Sequence, residues 1–186
     1  MLRLYRTSIF TATIMVPIFA RAAEVPLAGC YERVYDASHL AAHTGQVVTR
    51  ATLLVKATET PMKTPAGDIV ADGDLRMWAR GHKERFDTMG ACSTTAGGLS
   101  CDGSVSAAET HTCKAETTGV RECRVDLGEA GGFEIANRMK DVVVTLKDRL
   151  ELVPAPYDGG PFLNLSGKDT ENRTFLLKPA PVERCK

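Results

Sequence analysis

No basic excess, no bilayer-length apolar run and no Cys-x-x-Cys pair occur in this 186-residue chain. Each absence removes a class of function. Lys and Arg number 23 against 23 Asp and Glu, which argues against a nucleic-acid or anionic-membrane partner, since both are met by clustered positive charge. The apolar stretch Ile9 to Ala20 is shorter than the ~20 residues a membrane helix needs, and it carries Pro17. Cysteines without the Cys-x-x-Cys spacing are poor zinc ligands in an exported chain, although Cys101, His111, Cys113 and Cys123 contain the right atoms. With no long polar linker and no repeat at solenoid spacing, residues 23–186 read as one β-rich domain.

What is present points outward from the cytosol. Arg3 and Arg6 precede the apolar stretch, and Ala20-Arg21-Ala22 supplies small residues at alternate positions, so residues 1–22 read as a signal peptide cleaved before Ala23. Cleavage removes three arginines and no acid, leaving a charge of about −3 on a chain expected in the periplasm or secreted, without stable membrane insertion. Leu27-Ala28-Gly29-Cys30 resembles a lipobox, the alternative in which an acylated Cys30 anchors the protein. Arg21 and Glu24 count against it, as does the odd number of thiols it would leave.

Export accounts for the six cysteines, an even set that an oxidising compartment would consume. Position favours Cys30 with Cys185, tying the two ends, and Cys92 with Cys101 and Cys113 with Cys123, closing short loops. Such a long loop contributes about 4–5 kcal/mol and a short one about 3 in the chain-entropy model.

Alternation sets the fold class. From Val47 to Lys56, Val47, Ala51, Leu53 and Val55 share one face and Arg50, Thr52 and Lys56 the other, the period of a half-buried strand. Further strands are expected at 75–80, 120–127, 133–138, 142–147, 149–152, 162–165 and 174–178. Turns are expected at Thr60-Pro61, 64–68, Asp72-Gly73-Asp74 and Gly128 to Gly132, and a hairpin at Met139-Lys140-Asp141. One short helix, Ala37 to His43, is capped by Asp36 or Ser38 and ended by Gly45. The expectation is an all-β, disulfide-stapled antiparallel barrel (calycin-like) or a sandwich, with that helix near the mature N-terminus.

No coherent catalytic set emerges, and no cofactor is implied. His39 and His43 lie four apart on the helix and would reach one metal ion from one face; no third ligand is identifiable, and hydrogen-bonded surface histidines are the plainer reading. Ser104 near His111 lacks a nucleophile elbow and an orienting acid. Asp68, Asp72 and Asp74 lack the order of a calcium loop, and the 128–132 run lacks the Lys of a phosphate loop. Asn164 and Asn172 head formal glycosylation sequons. Trp78, the one tryptophan, falls opposite Met77 and is a candidate for a ligand cavity or partner surface, if no loop or second sheet covers it.

Gly29-Cys30-Tyr31-Glu32-Arg33-Val34-Tyr35, His39-Leu40-Ala41-Ala42-His43, Gly131-Gly132-Phe133 and Thr174-Phe175-Leu176-Leu177 before Cys185 together resemble a group of uncharacterised exported proteins of alphaproteobacteria. The resemblance implies a periplasmic location and carries no mechanism. The expected function is a noncatalytic binding module for a small hydrophobic ligand or a periplasmic protein. The alternatives are an inhibitor of a hydrolase such as lysozyme, or a metal-binding protein using His39 and His43.

Overall fold

The computed structural model describes residues 25–64, 67–108, 124–157 and 159–186. Residues 1–22, His111, Cys113 and Cys123, and with them the leader and the third cysteine pair, lie outside the described residues. The elements in order are β1 (Gly29–Val34), α1 (Ala37–Ala42), β2 (Val48–Thr64), β3 (Gly67–Ala79), β4 (Arg85–Thr95), β5 (Gly98–Ala108), β6 (Arg124–Arg138), β7 (Asp141–Ala155), β8 (Leu163–Ser166) and β9 (Thr174–Ala180), followed by a 3-10 turn, Val182–Cys185.

All pairings are antiparallel, and they close on themselves. β1 to β7 pair as consecutive neighbours, β7 pairs with β9, and β9 returns to β1 through Cys30↔Ala180 to Glu32↔Lys178. An eight-strand ring of this kind has the connectivity of an up-and-down barrel, and closure leaves none of its described strands as a free edge along the seam. β8 lies outside the ring beside β7, and the far end of β7 reaches across to β4 at Asp87↔Val153 and Arg85↔Ala155.

Parity along the strands builds the core. Leu53, Leu75, Met77, Phe86, Phe133, Phe175 and Leu177 point inward and are 0–1% exposed, in one continuous cluster with Cys92 and Cys101. The Val47 assignment needs correction: a register shift between Val48 and Arg50 turns Val48 inward in its place and leaves Val47 on the surface. Such a bulge lets one strand change phase without leaving the sheet.

Several expected turns are strand instead. Asp72-Gly73-Asp74 lies within β3, and Gly128 to Gly132 within β6. Gly73 is there because a Cβ would come within 3.1 Å of Cys92 Sγ and 3.4 Å of the Phe133 ring; the missing side chain makes room for a neighbour rather than for a bend. Thr60-Pro61 sits inside β2 where pairing skips from Ala57 to Met62, a gap in the ladder that tolerates a residue with no N–H. β4 and β5 were not expected from alternation. Their inward positions include Gly90 and Gly103, whose added Cβ atoms would meet Cys101 at 2.9 Å and Ala130 at 3.2 Å.

Two disulfides hold this frame. Cys92–Cys101 joins directly opposed residues of β4 and β5 inside the barrel, and Cys30–Cys185 ties β1 to the 3-10 turn across 155 positions of sequence. A lipid thioether on Cys30 would need the sulfur that the bond to Cys185 uses, so this disulfide and the lipobox alternative exclude each other. Two such bonds indicate an oxidising environment. No helix among the described residues is long and apolar enough to cross a membrane.

α1 and two buried amides close one pole. Asp36 caps the helix, accepting from the His39 N–H at 2.7 Å. Asn172, 1% exposed, accepts from the Val47 N–H at 2.9 Å and donates to Gly45 O at 2.9 Å and to Asp169 at 2.7 Å. That burial makes Asn172 a latch between the loop after α1 and the turn before β9, and unavailable as a glycan acceptor.

Candidate functional site

The ladder between strands decides which side chains share a surface. Directly opposed residues of antiparallel neighbours point to the same side, so Val34, Arg50, Trp78, Arg85 and Ala155 form one outward row across β1, β2, β3, β4 and β7. The next row toward the middle of the barrel is Glu32, Thr52, Arg76, Asp87 and Val153. Trp78 thus stands on the outer wall, with Met77 buried behind it.

Around the indole the wall is charged. The Arg50 guanidinium lies 4.1 Å from the ring centroid and donates through Nε to Glu32 at 2.8 Å. Arg184 takes the other Glu32 oxygen at 3.0 Å. Stacking on an aromatic face while binding a carboxylate suits the flat, weakly hydrated guanidinium. Arg85 grips Asp87 with two hydrogen bonds of 2.7 and 2.8 Å; burial pushes the Asp87 carboxyl above its ordinary range, against the downward pull of Arg85 and Arg76. Beside this row, Trp78, Lys83, Glu84, Arg85, Ala155 and Pro156 line an open cleft of about 760 Å³.

A second outer cleft, of about 440 Å³, has a floor of Gly103, Gly131 and Gly132 between Asp102, Lys147, Asp148 and Arg149. Its cations are spoken for: Lys147 meets Asp102 at 2.7 Å and Arg149 meets Glu151 at 3.0 Å. It offers polar groups without an aromatic or large apolar anchor.

The histidine pair is brought together in a way that differs from chelation. His39 and His43 stack face to face with centroids 4.3 Å apart, and Tyr35 stacks on the far side of His39 at 4.8 Å. Since the Gln46 amide donates to Val48 O at 2.8 Å, its oxygen accepts from His39 Nε2 at 2.9 Å. One ring nitrogen is thereby committed to closing the pole of the barrel. Burial pushes the Tyr35 phenol above its ordinary range. Among the described residues no three His, Cys, Asp or Glu side chains converge on a point that could hold an ion.

The remaining sequence candidates are dispersed. Ser104 lies within β5, opposite Met89. Asp72 and Asp74 sit along β3, Asp74 within 3.7 Å of Lys56, and Asp68 is at the start of the same strand. Sequence reasoning singled out Trp78 but missed Arg50, because their stacking depends on the β2–β3 register. No protein-family model, curated protein or solved structure matches the chain.

Proposed function

We propose that the chain is an exported, noncatalytic binding module whose partner is a protein held on the outer wall around Trp78. One observation carries this reading: among the described residues the barrel interior is filled by Phe86, Phe133, Phe175, their leucine neighbours and the Cys92–Cys101 bond, whereas the one tryptophan lines a cleft open to solvent. A lipocalin-like ligand would need the space those side chains occupy. Tryptophan and arginine at the centre of an outward patch are the residue types that dominate binding energy between proteins.

Export is supported by the disulfides, by the leader-like residues 1–22 and by the resemblance to exported alphaproteobacterial proteins. Inhibition of a hydrolase such as lysozyme is one form the same binding would take, with the wall as the inhibitory surface.

The test uses Trp78 as its own reporter. Affinity capture from periplasmic extract is run with the wild type and with Trp78→Ala, each first checked for native circular dichroism. A binder retained by the wild type alone, whose titration shifts the tryptophan emission, is the expected result. A binder retained equally by both forms, with emission unchanged, overturns the wall as the site. A blank in capture and in a screen of lipids, small hydrophobes and cell-wall fragments overturns binding as the function.

A further inference from the structure

Charge is spread unevenly over this barrel. The full chain is neutral, yet the two rows and the β3–β4 turn around Trp78 bring together Arg50, Arg76, Arg80, Lys83 and Arg85, joined by Arg184 from the 3-10 turn, against Glu32, Glu84 and Asp87, while Asp74 in the next row is paired with Lys56. The three carboxylates are already engaged. Glu32 is shared by Arg50 and Arg184, Asp87 is held by Arg85, and Glu84 faces His82 at 3.2 Å. Among the described residues, no carboxylate lies within ion-pair distance of Arg76, Arg80 or Lys83; the Arg80 guanidinium donates to Leu40 O at 3.0 Å and His43 O at 3.4 Å, whereas Arg76 keeps a buried guanidinium nitrogen with no hydrogen-bond partner. The glycine-floored cleft on the other side pairs its own cations and has no comparable surplus.

Apolar groups are interleaved with these cations. Val34 is 56% exposed at one end of the Trp78 row, and Val47 is 37% exposed next to Arg80, whose N–H donates to its carbonyl at 2.7 Å. Pro156 closes the other end. The row crosses five strands, a width of about 19 Å at the usual spacing between strands, which matches about six residues of extended chain. A polyanion read by charge alone would gain nothing from Val34, Val47 and Pro156; a peptide with both carboxylates and apolar side chains uses the whole row.

Building on the reading that this wall binds a protein, we infer that the docked element is an acidic segment with an apolar centre. Its carboxylates lie over Arg76 and Lys83, and its apolar side chain packs against Trp78 and Pro156. Such complementarity speeds encounter and rejects basic partners, because like charges brought together on the wall are costly.

The probe is a random copolymer of glutamate and tyrosine, titrated against the full exported chain with selective excitation of Trp78 and, independently, by calorimetry. Polylysine, heparin and phosphatidylglycerol vesicles are the comparison probes. The copolymer is expected to bind, with affinity falling about tenfold from low salt to physiological ionic strength, while polylysine does not. Lys83→Glu, on an exposed turn, is expected to weaken binding about five- to tenfold; Lys83→Arg keeps it, and thermal melts verify that both variants fold. Binding of heparin or vesicles without binding of the copolymer overturns the peptide class. Copolymer binding that ignores both salt and Lys83→Glu overturns the site. Failure of every acidic probe alongside a partner captured through Trp78 removes only the acidic chemistry and leaves the binding wall in place.

Discussion

The inner and outer faces of β1 to β4 are built from the same strands and obey opposite rules. Inside, neighbouring positions match by volume: Gly73 and Gly90 are empty where Phe133 and the Cys92–Cys101 bond are large. Outside, neighbours match by charge, as in Glu32 between Arg50 and Arg184. Shape complementarity without water resists change at single-methyl resolution, whereas solvated ion pairs contribute little to stability and leave residues free to serve binding. On the proposed reading, one ribbon thus separates holding the barrel together from meeting a partner.

The sharpest way to break the contrast is from the inside. Phe133→Ala removes the ring that packs between Gly73 and Gly90, and urea unfolding should show a loss of about 3–5 kcal/mol. Gly90→Ala adds one carbon within 2.9 Å of Cys101 Cβ and 3.2 Å of the Phe133 ring; a loss of about 1–3 kcal/mol is expected in the same assay. Trp78→Ala should cost least, about 1 kcal/mol for the lost stacking with Arg50, while under the proposed function it should abolish capture of the partner. A loss from Trp78→Ala as large as that from Phe133→Ala would mark the wall as core and erase the distinction between the faces.

How much of this was legible in the sequence depends on side-chain size. Val55, Leu53 and Ala51 alternate with Lys56, Thr52 and Arg50, so β2 could be read, and Met77 against Trp78 gave the sense of β3. The Asp36 cap and the hairpin at Met139-Lys140 were also local signals, and both are formed. β4 escaped because its inward series runs Phe86, Thr88, Gly90, Cys92, in which small and polar residues hide the period that burial would otherwise impose. Gly73 looked like a turn for the same reason: a glycine that makes room for a neighbour is indistinguishable, in one dimension, from a glycine that bends the chain, as Gly131 does with its φ of 84° at the register shift in β6. The Trp78 row was beyond reach, since placing Arg50 and Arg85 on either side of the indole takes three strands in register, and that register is set by bulges such as the one between Val48 and Arg50.

The Cys30–Cys185 bond has a topological consequence. Hydrogen bonds close the barrel around its circumference, and this crosslink makes the polypeptide between the two sulfurs a covalent circle as well. A protease cutting the β6–β7 hairpin at Met139, 93% exposed, would therefore produce two fragments that stay joined and stay paired, and the nicked molecule would part only after a reductant reached the sulfur bridge.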